Sequence, residues 1–145
     1  MTLPIVLDSA GLDALASARP PVAFRALLRE AWERQRDVVV PAIVCAEVCR
    51  TAARTRAVEA AVSRHDGTVG ERPLVRIVDT TFDLARSVGA ILARSRAGSA
   101  DIVDAHVVAI AARHGGGLVV TSDPDDIVRL ADAVPEARIL TRPAR

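Results

Sequence analysis

Residues 118–123 read Leu-Val-Val-Thr-Ser-Asp, and residues 3–8 read Leu-Pro-Ile-Val-Leu-Asp. Each segment is a short apolar run that ends in an aspartate, Asp123 in the first and Asp8 in the second. Continuous apolar runs of this length are typical of strands that are buried on both faces, as in a parallel sheet covered by helices. Ligands bind to such sheets at the carboxyl ends of the strands. If the two strands are neighbours, Asp8 and Asp123 face each other across that crevice.

The rest of the chain alternates short β-branched runs with longer helical patterns, which predicts an α/β fold. The predicted strands cover residues 3–7, 38–40, 74–78, 118–121 and 138–140. The predicted helices cover residues 9–18, 21–36, 42–53, 55–65, 80–97, 101–114 and 124–133. The glycines and proline within residues 65–73 predict a flexible loop there. Because 145 residues fit one domain, we expect a single three-layer α/β/α sandwich over residues 1–145.

Composition narrows the range of functions. The net charge is +1, so no global electrostatic field marks the chain as a nucleic-acid binder, and a content of 2% aromatic residues suits a base-stacking surface poorly. Every basic residue is an arginine, which excludes any mechanism that requires a lysine, including that of phosphoacceptor receiver domains. No signal peptide precedes the first strand and no apolar run reaches transmembrane length, so we expect a soluble, cytoplasmic protein without a membrane partner.

Two further acids, Glu47 and Asp104, interrupt helical segments that are otherwise largely apolar. An ionised carboxylate is costly in apolar surroundings unless a positive charge meets it. Together with Asp8 and Asp123, these acids indicate a shared divalent cation. Oxygen ligands favour Mg²⁺ or Mn²⁺ over zinc, which prefers His and Cys.

Each acid also has an ordinary structural explanation. Asp8, Asp101 and Asp123 can cap the helices that follow them, and for Asp101 capping is as well supported as a role in the site. Glu47 can form a surface ion pair with an arginine that follows it on the same helix. Asp104 has the weakest alternative, because its helix is apolar almost all round and offers no polar face for a surface aspartate.

The segments around these acids resemble the PIN domains, and among them the VapC-like ribonuclease toxins of bacterial toxin–antitoxin pairs. The resemblance lies in residues 5–9, 40–48, 101–106 and 119–126, and it spans nearly the whole chain. It implies a mainly parallel five-stranded sheet in the order three-two-one-four-five. It also implies Mg²⁺- or Mn²⁺-dependent cleavage of RNA.

By position, four residues match the catalytic acids of that family: Asp8, Glu47, Asp104 and Asp123. Of these, Asp8, Asp104 and Asp123 are the candidate metal ligands. Three residues close to them are auxiliary candidates: Asp101, Thr121 and Asp126. Whether one metal ion or two would bind is left open.

Four arginines near these segments are weaker candidates for gripping RNA phosphates, and solvated helix surface explains each of them equally well: Arg50, Arg54, Arg94 and Arg96. The resemblance also implies a cognate antitoxin protein as partner, a homodimer, and tRNA or rRNA as substrate. Trp32 can be a core or a partner-facing residue, and the resemblance favours the partner. The competing hypothesis is a non-catalytic PIN-like domain that binds a protein or an RNA.

Overall fold

A five-stranded sheet lies at the centre of the computed structural model, which describes residues 2–64 and 75–145. The strands are β1 (Ile5–Leu7), β2 (Val38–Pro41), β3 (Val75–Val78), β4 (Gly116–Val120) and β5 (Arg138–Arg142). Their order is β3-β2-β1-β4-β5, and all four pairings are parallel. The predicted α/β fold and strand order are therefore confirmed. The loop predicted for residues 65–73 lies outside the described residues.

The described part of the chain contains these α-helices: α1 (Ser9–Ala16), α2 (Val22–Glu33), α3 (Ala42–Val48), α4 (Ala52–Arg64), α5 (Phe82–Ser95), α6 (Ile102–Arg113) and α7 (Pro124–Ala131). A 3₁₀ turn, Ser99–Asp101, leads directly into α6. None of the helices in residues 2–64 and 75–145 is long and apolar enough to span a membrane.

The helices pack in two groups on opposite faces of the sheet. Helices α1, α3 and α4 contact one another, and α5, α6 and α7 form the second group. Right-handed crossovers require this division, because the chain runs outward from β1 to β3 and then returns past β1 to β4 and β5. The central strands β1, β2 and β4 are buried between the two groups, as continuous apolar runs predict.

The register of β1 and β4 brings their carboxyl ends to the same level. Leu7 pairs with Val120, and the backbone N–H of Asp8 donates to the Val120 carbonyl at 3.2 Å. Thr121, the first residue after β4, is 1% exposed. The two strands that end in an acid are therefore neighbours, as the sequence required for a shared site.

The break between two predicted helices lies earlier than expected. Helices were predicted for residues 42–53 and 55–65, whereas α3 ends at Val48 and α4 begins at Ala52. The hydroxyl of Thr51 accepts a hydrogen bond from the Arg54 N–H at 3.2 Å, and this side-chain cap favours the start of α4 at residue 52.

The fourth strand begins earlier than predicted. Gly116 and Gly117 belong to β4 and not to the turn before it. Gly116 has φ +145°, and a Cβ atom there would lie 2.1 Å from the carbonyl oxygen of Arg138 on the neighbouring strand β5. A glycine is needed at this position because only hydrogen leaves room for that approach.

Candidate active site

Asp8 occupies the carboxyl end of β1 and caps α1. Its side chain is buried, with the residue 5% exposed, and it accepts a hydrogen bond from the Gly11 N–H at 3.1 Å. Burial raises the pKa of Asp8 above its ordinary value, hydrogen bonds from Thr121 and the α1 backbone lower it, and the charge of Asp123 raises it further. Asp8 therefore does cap α1, as considered above, and it also lies close to a second acid, Asp123.

Asp104 lies in the first turn of α6 and is half-buried. Its pKa is raised to about 6, first by burial and then, in decreasing order, by the charges of Asp8, Asp126, Asp123 and Glu47. An acid whose charge is felt at Asp104 must lie near it. The fold thus gathers around Asp104 all of the predicted catalytic acids and one auxiliary acid.

Thr121 connects the two strand-terminal acids. Its hydroxyl donates to the Asp8 carboxylate, and the same oxygen accepts the backbone N–H of Asp123 at 2.9 Å. Asp123 precedes α7 at the N-cap position, but its side chain makes no capping hydrogen bond. The capping explanation for Asp123 is therefore not realised, and its carboxylate is free for another role.

Glu47 is held by a residue that the sequence reasoning did not select. The hydroxyl of Ser9 donates a hydrogen bond to Glu47 Oε2. Glu47 is exposed, and no salt bridge joins its carboxylate to Arg50 or Arg54. The sequence did offer a signal for Ser9, which is a hydroxyl residue directly after Asp8. At that position it can face the helix that follows the neighbouring strand β2.

Asp101 and Asp126 are paired with a second residue that sequence reasoning missed. Arg129 Nη2 lies 2.8 Å from Asp101 Oδ1 and 3.5 Å from Asp126 Oδ1. Asp101 occupies the N-cap position of α6 without a side-chain capping bond, so the capping role considered for it is not realised and its carboxylate pairs with Arg129 instead. The signal for Arg129 was its i,i+3 spacing from Asp126 on a helix.

Arg50 and Arg54 both lie near Glu47, but among the described residues only Arg54 forms a salt bridge with another side chain. Arg50 is exposed, and its Nε donates to the backbone carbonyl of Glu47 at 3.1 Å. Arg54 pairs with Asp13 on α1, and its Nε donates to the carbonyl of Val48 at 2.9 Å. Of the two, Arg50 is better placed to meet a phosphate beside the acids.

Arg94 lies beyond the end of α7 that is opposite to Asp123. Arg94 Nη1 donates to the carbonyl of Ala133 at 3.3 Å, beyond the C-terminal end of α7, whereas Asp123 precedes the N-terminal end. An eight-residue helix separates these ends by about 12 Å. Arg96 is exposed and ends α5 with a left-handed φ of 52°.

The chemistry of this donor set fits a hard divalent cation. Between described residues, no salt bridge reaches the carboxylates of Asp8, Glu47, Asp104 or Asp123, although Asp8 is buried. A group of carboxylates without a counter-charge favours a divalent ion bound through oxygen. As arranged here, however, no three acidic, His or Cys side chains in residues 2–64 and 75–145 form a group ready to hold an ion. An ion would have to draw the carboxylates together.

The chain belongs to the PIN domain family. The family model matches residues 13–133, a range that begins after Asp8 and includes Glu47, Asp104 and Asp123. PIN domains are typically nucleases that use divalent metal ions. A search of curated proteins finds no significant match.

Solved structures of VapC-type proteins have the same fold. VapC20 of Mycobacterium tuberculosis, described as a sarcin–ricin loop cleaving toxin, is 22% identical, with a TM-score of 0.57 over 86% of this chain and 93% of that chain. VapBC2 of Rickettsia felis, bound to a promoter DNA fragment, is 14% identical, with a TM-score of 0.64 over 97% and 99%. FitAcB of Neisseria gonorrhoeae is 18% identical, with a TM-score of 0.59 over 94% and 96%.

Proposed function

We propose that this protein is a metal-dependent endoribonuclease that acts as the toxin of a toxin–antitoxin pair. The observation that carries the proposal is the crowding at Asp104, whose pKa is raised to about 6 by burial and by four neighbouring carboxylates. Within the described residues, no arginine forms a salt bridge with the four acids of the site, which are Asp8, Glu47, Asp104 and Asp123. A site that is costly without a cation and carries only oxygen ligands suits Mg²⁺ or Mn²⁺.

In this proposal Asp8, Asp104 and Asp123 hold the ion. When bound, the ion supplies the means to hold the scissile phosphate and to acidify the attacking water. Thr121 Oγ1 orients the Asp8 carboxylate and fixes the backbone at Asp123. Glu47 Oε2 is held by Ser9 and is exposed, so this carboxylate can take up the proton of the water and pass it to solvent.

The proposed partners are RNA, a cognate antitoxin and a second copy of the chain. The similarity to VapBC and FitAB structures supports an antitoxin, and the description of VapC20 makes rRNA a substrate to test beside tRNA. Trp32 on α2 is 52% exposed, so it is not a core residue and is accessible to a protein partner. We also propose that the protein acts in the cytoplasm, where the proposed tRNA and rRNA substrates are.

The decisive experiment measures cleavage of purified tRNA and rRNA with Mn²⁺, with Mg²⁺ and with EDTA. Asp8→Asn and Asp104→Asn remove a charge with little change in volume, and asparagine still caps α1 at position 8. Each variant should lose at least about a hundredfold in rate, consistent with the loss of a metal ligand. Asp132→Asn, an exposed acid at the other end of α7, is the matched control. Wild-type rates in both site variants would refute the assignment of the acids.

A non-catalytic PIN-like domain is the second candidate. The observation in its favour is that no three acids in the described residues are already grouped to hold an ion. Expression in bacterial cells separates the two functions. A nuclease toxin should arrest growth, and Asp8→Asn should relieve the arrest, whereas a binding domain should act equally in both forms.

A further inference from the structure

Arg129 is the one arginine in residues 2–64 and 75–145 that forms a salt bridge with acids of the Asp104 region. Its Nη2 lies 2.8 Å from Asp101 Oδ1 and 3.5 Å from Asp126 Oδ1. Asp101 directly precedes α6, while Asp126 and Arg129 belong to α7. One guanidinium group therefore joins the N-terminal end of α6 to α7. Helix α6 also carries Asp104, and helix α7 directly follows Asp123.

The pairing divides the acids into two sets. The outer acids are Asp101 and Asp126, which share the charge of Arg129. The inner acids have no such partner among the described residues: Asp8, Glu47, Asp104 and Asp123. Distance from Asp104 does not by itself explain this division. The charge of Asp126, an outer acid, raises the pKa of Asp104 more than the charge of Asp123, an inner acid, does.

We propose that Arg129 is a positioning residue that holds the carboxylates of Asp101 and Asp126 out of the metal-binding set, so that only the inner acids meet the ion. The inference rests on the proposed metal-dependent function and deepens it. One nitrogen, Arg129 Nη2, makes both contacts, as a hydrogen bond to Asp101 and as a longer ion pair with Asp126.

Removal of the guanidinium should tighten the binding of Mn²⁺, whereas a variant that merely disrupts the structure of the site should weaken it. In Arg129→Met two carboxylates lose their partner and add negative charge near the inner acids, which should tighten the binding of Mn²⁺ about threefold to tenfold. Asp101 and Asp126 could then bind the ion in addition to the inner acids. The ion would no longer be held by the inner acids alone, so RNA cleavage at saturating Mn²⁺ should fall. A role limited to joining α6 and α7 predicts weaker binding instead.

Direct titration with Mn²⁺, with the free ion followed by electron paramagnetic resonance, tests this without any RNA. Arg129→Met should bind Mn²⁺ more tightly than wild type, and Arg129→Met/Asp126→Asn, in which the charge of these three residues is again −1 as in wild type, should return to the wild-type affinity. Arg86→Met is the matched control, because it removes another i,i+3 pair, in which Arg86 Nη2 lies 2.6 Å from Asp83 Oδ1, and should leave the Kd unchanged.

The outcomes separate this inference from the function on which it rests. Wild-type protein that binds no Mn²⁺ would overturn the metal-dependent function. Wild-type binding with an unchanged or weaker Kd in Arg129→Met would overturn the role of Arg129 alone. If Arg129→Met does not fold, as judged by circular dichroism, Asp126→Asn replaces it. Because Asp126 is held out of the set, that variant should weaken Mn²⁺ binding by no more than the roughly threefold to tenfold expected for one nearby charge, and a loss of about a hundredfold would make Asp126 a ligand and end the proposal.

Discussion

Ser9 and Glu47, which are 38 residues apart in the chain, are joined by a hydrogen bond from the serine hydroxyl to Glu47 Oε2. Ser9 is the first residue of α1, and Glu47 lies near the end of α3. Strands β1 and β2 are parallel neighbours, so the helices that follow them begin at the same edge of the sheet. The bond fixes an otherwise exposed carboxylate beside Asp8.

Ser9→Ala should lower RNA cleavage without unfolding the protein. The substitution leaves Glu47 without its donor, and loss of a group that orients a functional carboxylate costs about tenfold to a hundredfold in activity. Cleavage rates and melting temperatures measured side by side will test this. Ser17→Ala, at the opposite end of α1, should keep full activity. Equal activity in the two variants would show that Ser9 does not position Glu47.

Thr121→Val should impair the site through two contacts at once. Valine keeps the shape of threonine but has no hydroxyl, so Asp8 loses a donor and the N–H of Asp123 loses an acceptor. We expect the Mn²⁺ affinity to fall about tenfold or more. Thr121→Ser should restore it, whereas a serine variant as weak as the valine variant would point to packing as the cause. Thr141→Val on β5 is the control.

Asp104 should make the metal-free protein less stable as the pH rises. Its pKa of about 6 in the folded state lies above the ordinary value of 3.8, so between these values the native state binds more protons than the unfolded state. Stability is then lost as the pH rises through this window, and the raised pKa of Asp8 acts in the same direction. The loss should be about 1 kcal/mol, because solvent screens a half-buried group.

Urea unfolding in EDTA at pH 4.5 and pH 7 measures this effect. Other carboxylates contribute their own pH dependence, so the comparison is between wild type and Asp104→Asn. The variant should lose less stability over the window, and Mn²⁺ should recover the loss in wild type by mass action. Identical pH dependence in both proteins would remove Asp104 from the electrostatic cluster.

Gly116→Ala should destabilise the fold strongly. The added Cβ would lie 2.1 Å from the carbonyl oxygen of Arg138, and φ at this position is +145°. Strain of this kind costs about 2–4 kcal/mol. Gly89→Ala on α5 is the control, because its Cβ would meet nothing within 4 Å, and alanine there should add about 1 kcal/mol of stability. Thermal melts of both variants will show whether the two changes have opposite signs.

The elements that sequence patterns predicted well are those with strong local signals. The apolar runs that end at Asp8 and Asp123 predicted β1 and β4, because central strands of a parallel sheet are apolar on both faces. Asp104 stood out because its own helix offers no polar face. The break between α3 and α4 was predicted too late in the chain, since a single threonine cap at Thr51 outweighs a helical pattern that continues on both sides.

The sequence by itself determined which chemistry is available: carboxylates at strand ends and in apolar helices, arginine as the only strong base, and the alternation that makes an α/β sheet. Tertiary structure alone decided how those acids are divided. Ser9 donates to Glu47, Thr121 donates to Asp8, and Arg129 pairs with Asp101. The physical reason is that hydrogen bonds and ion pairs depend on distances of about 3 Å between side chains. Such distances between elements far apart in the chain exist only once the helices have packed on the sheet.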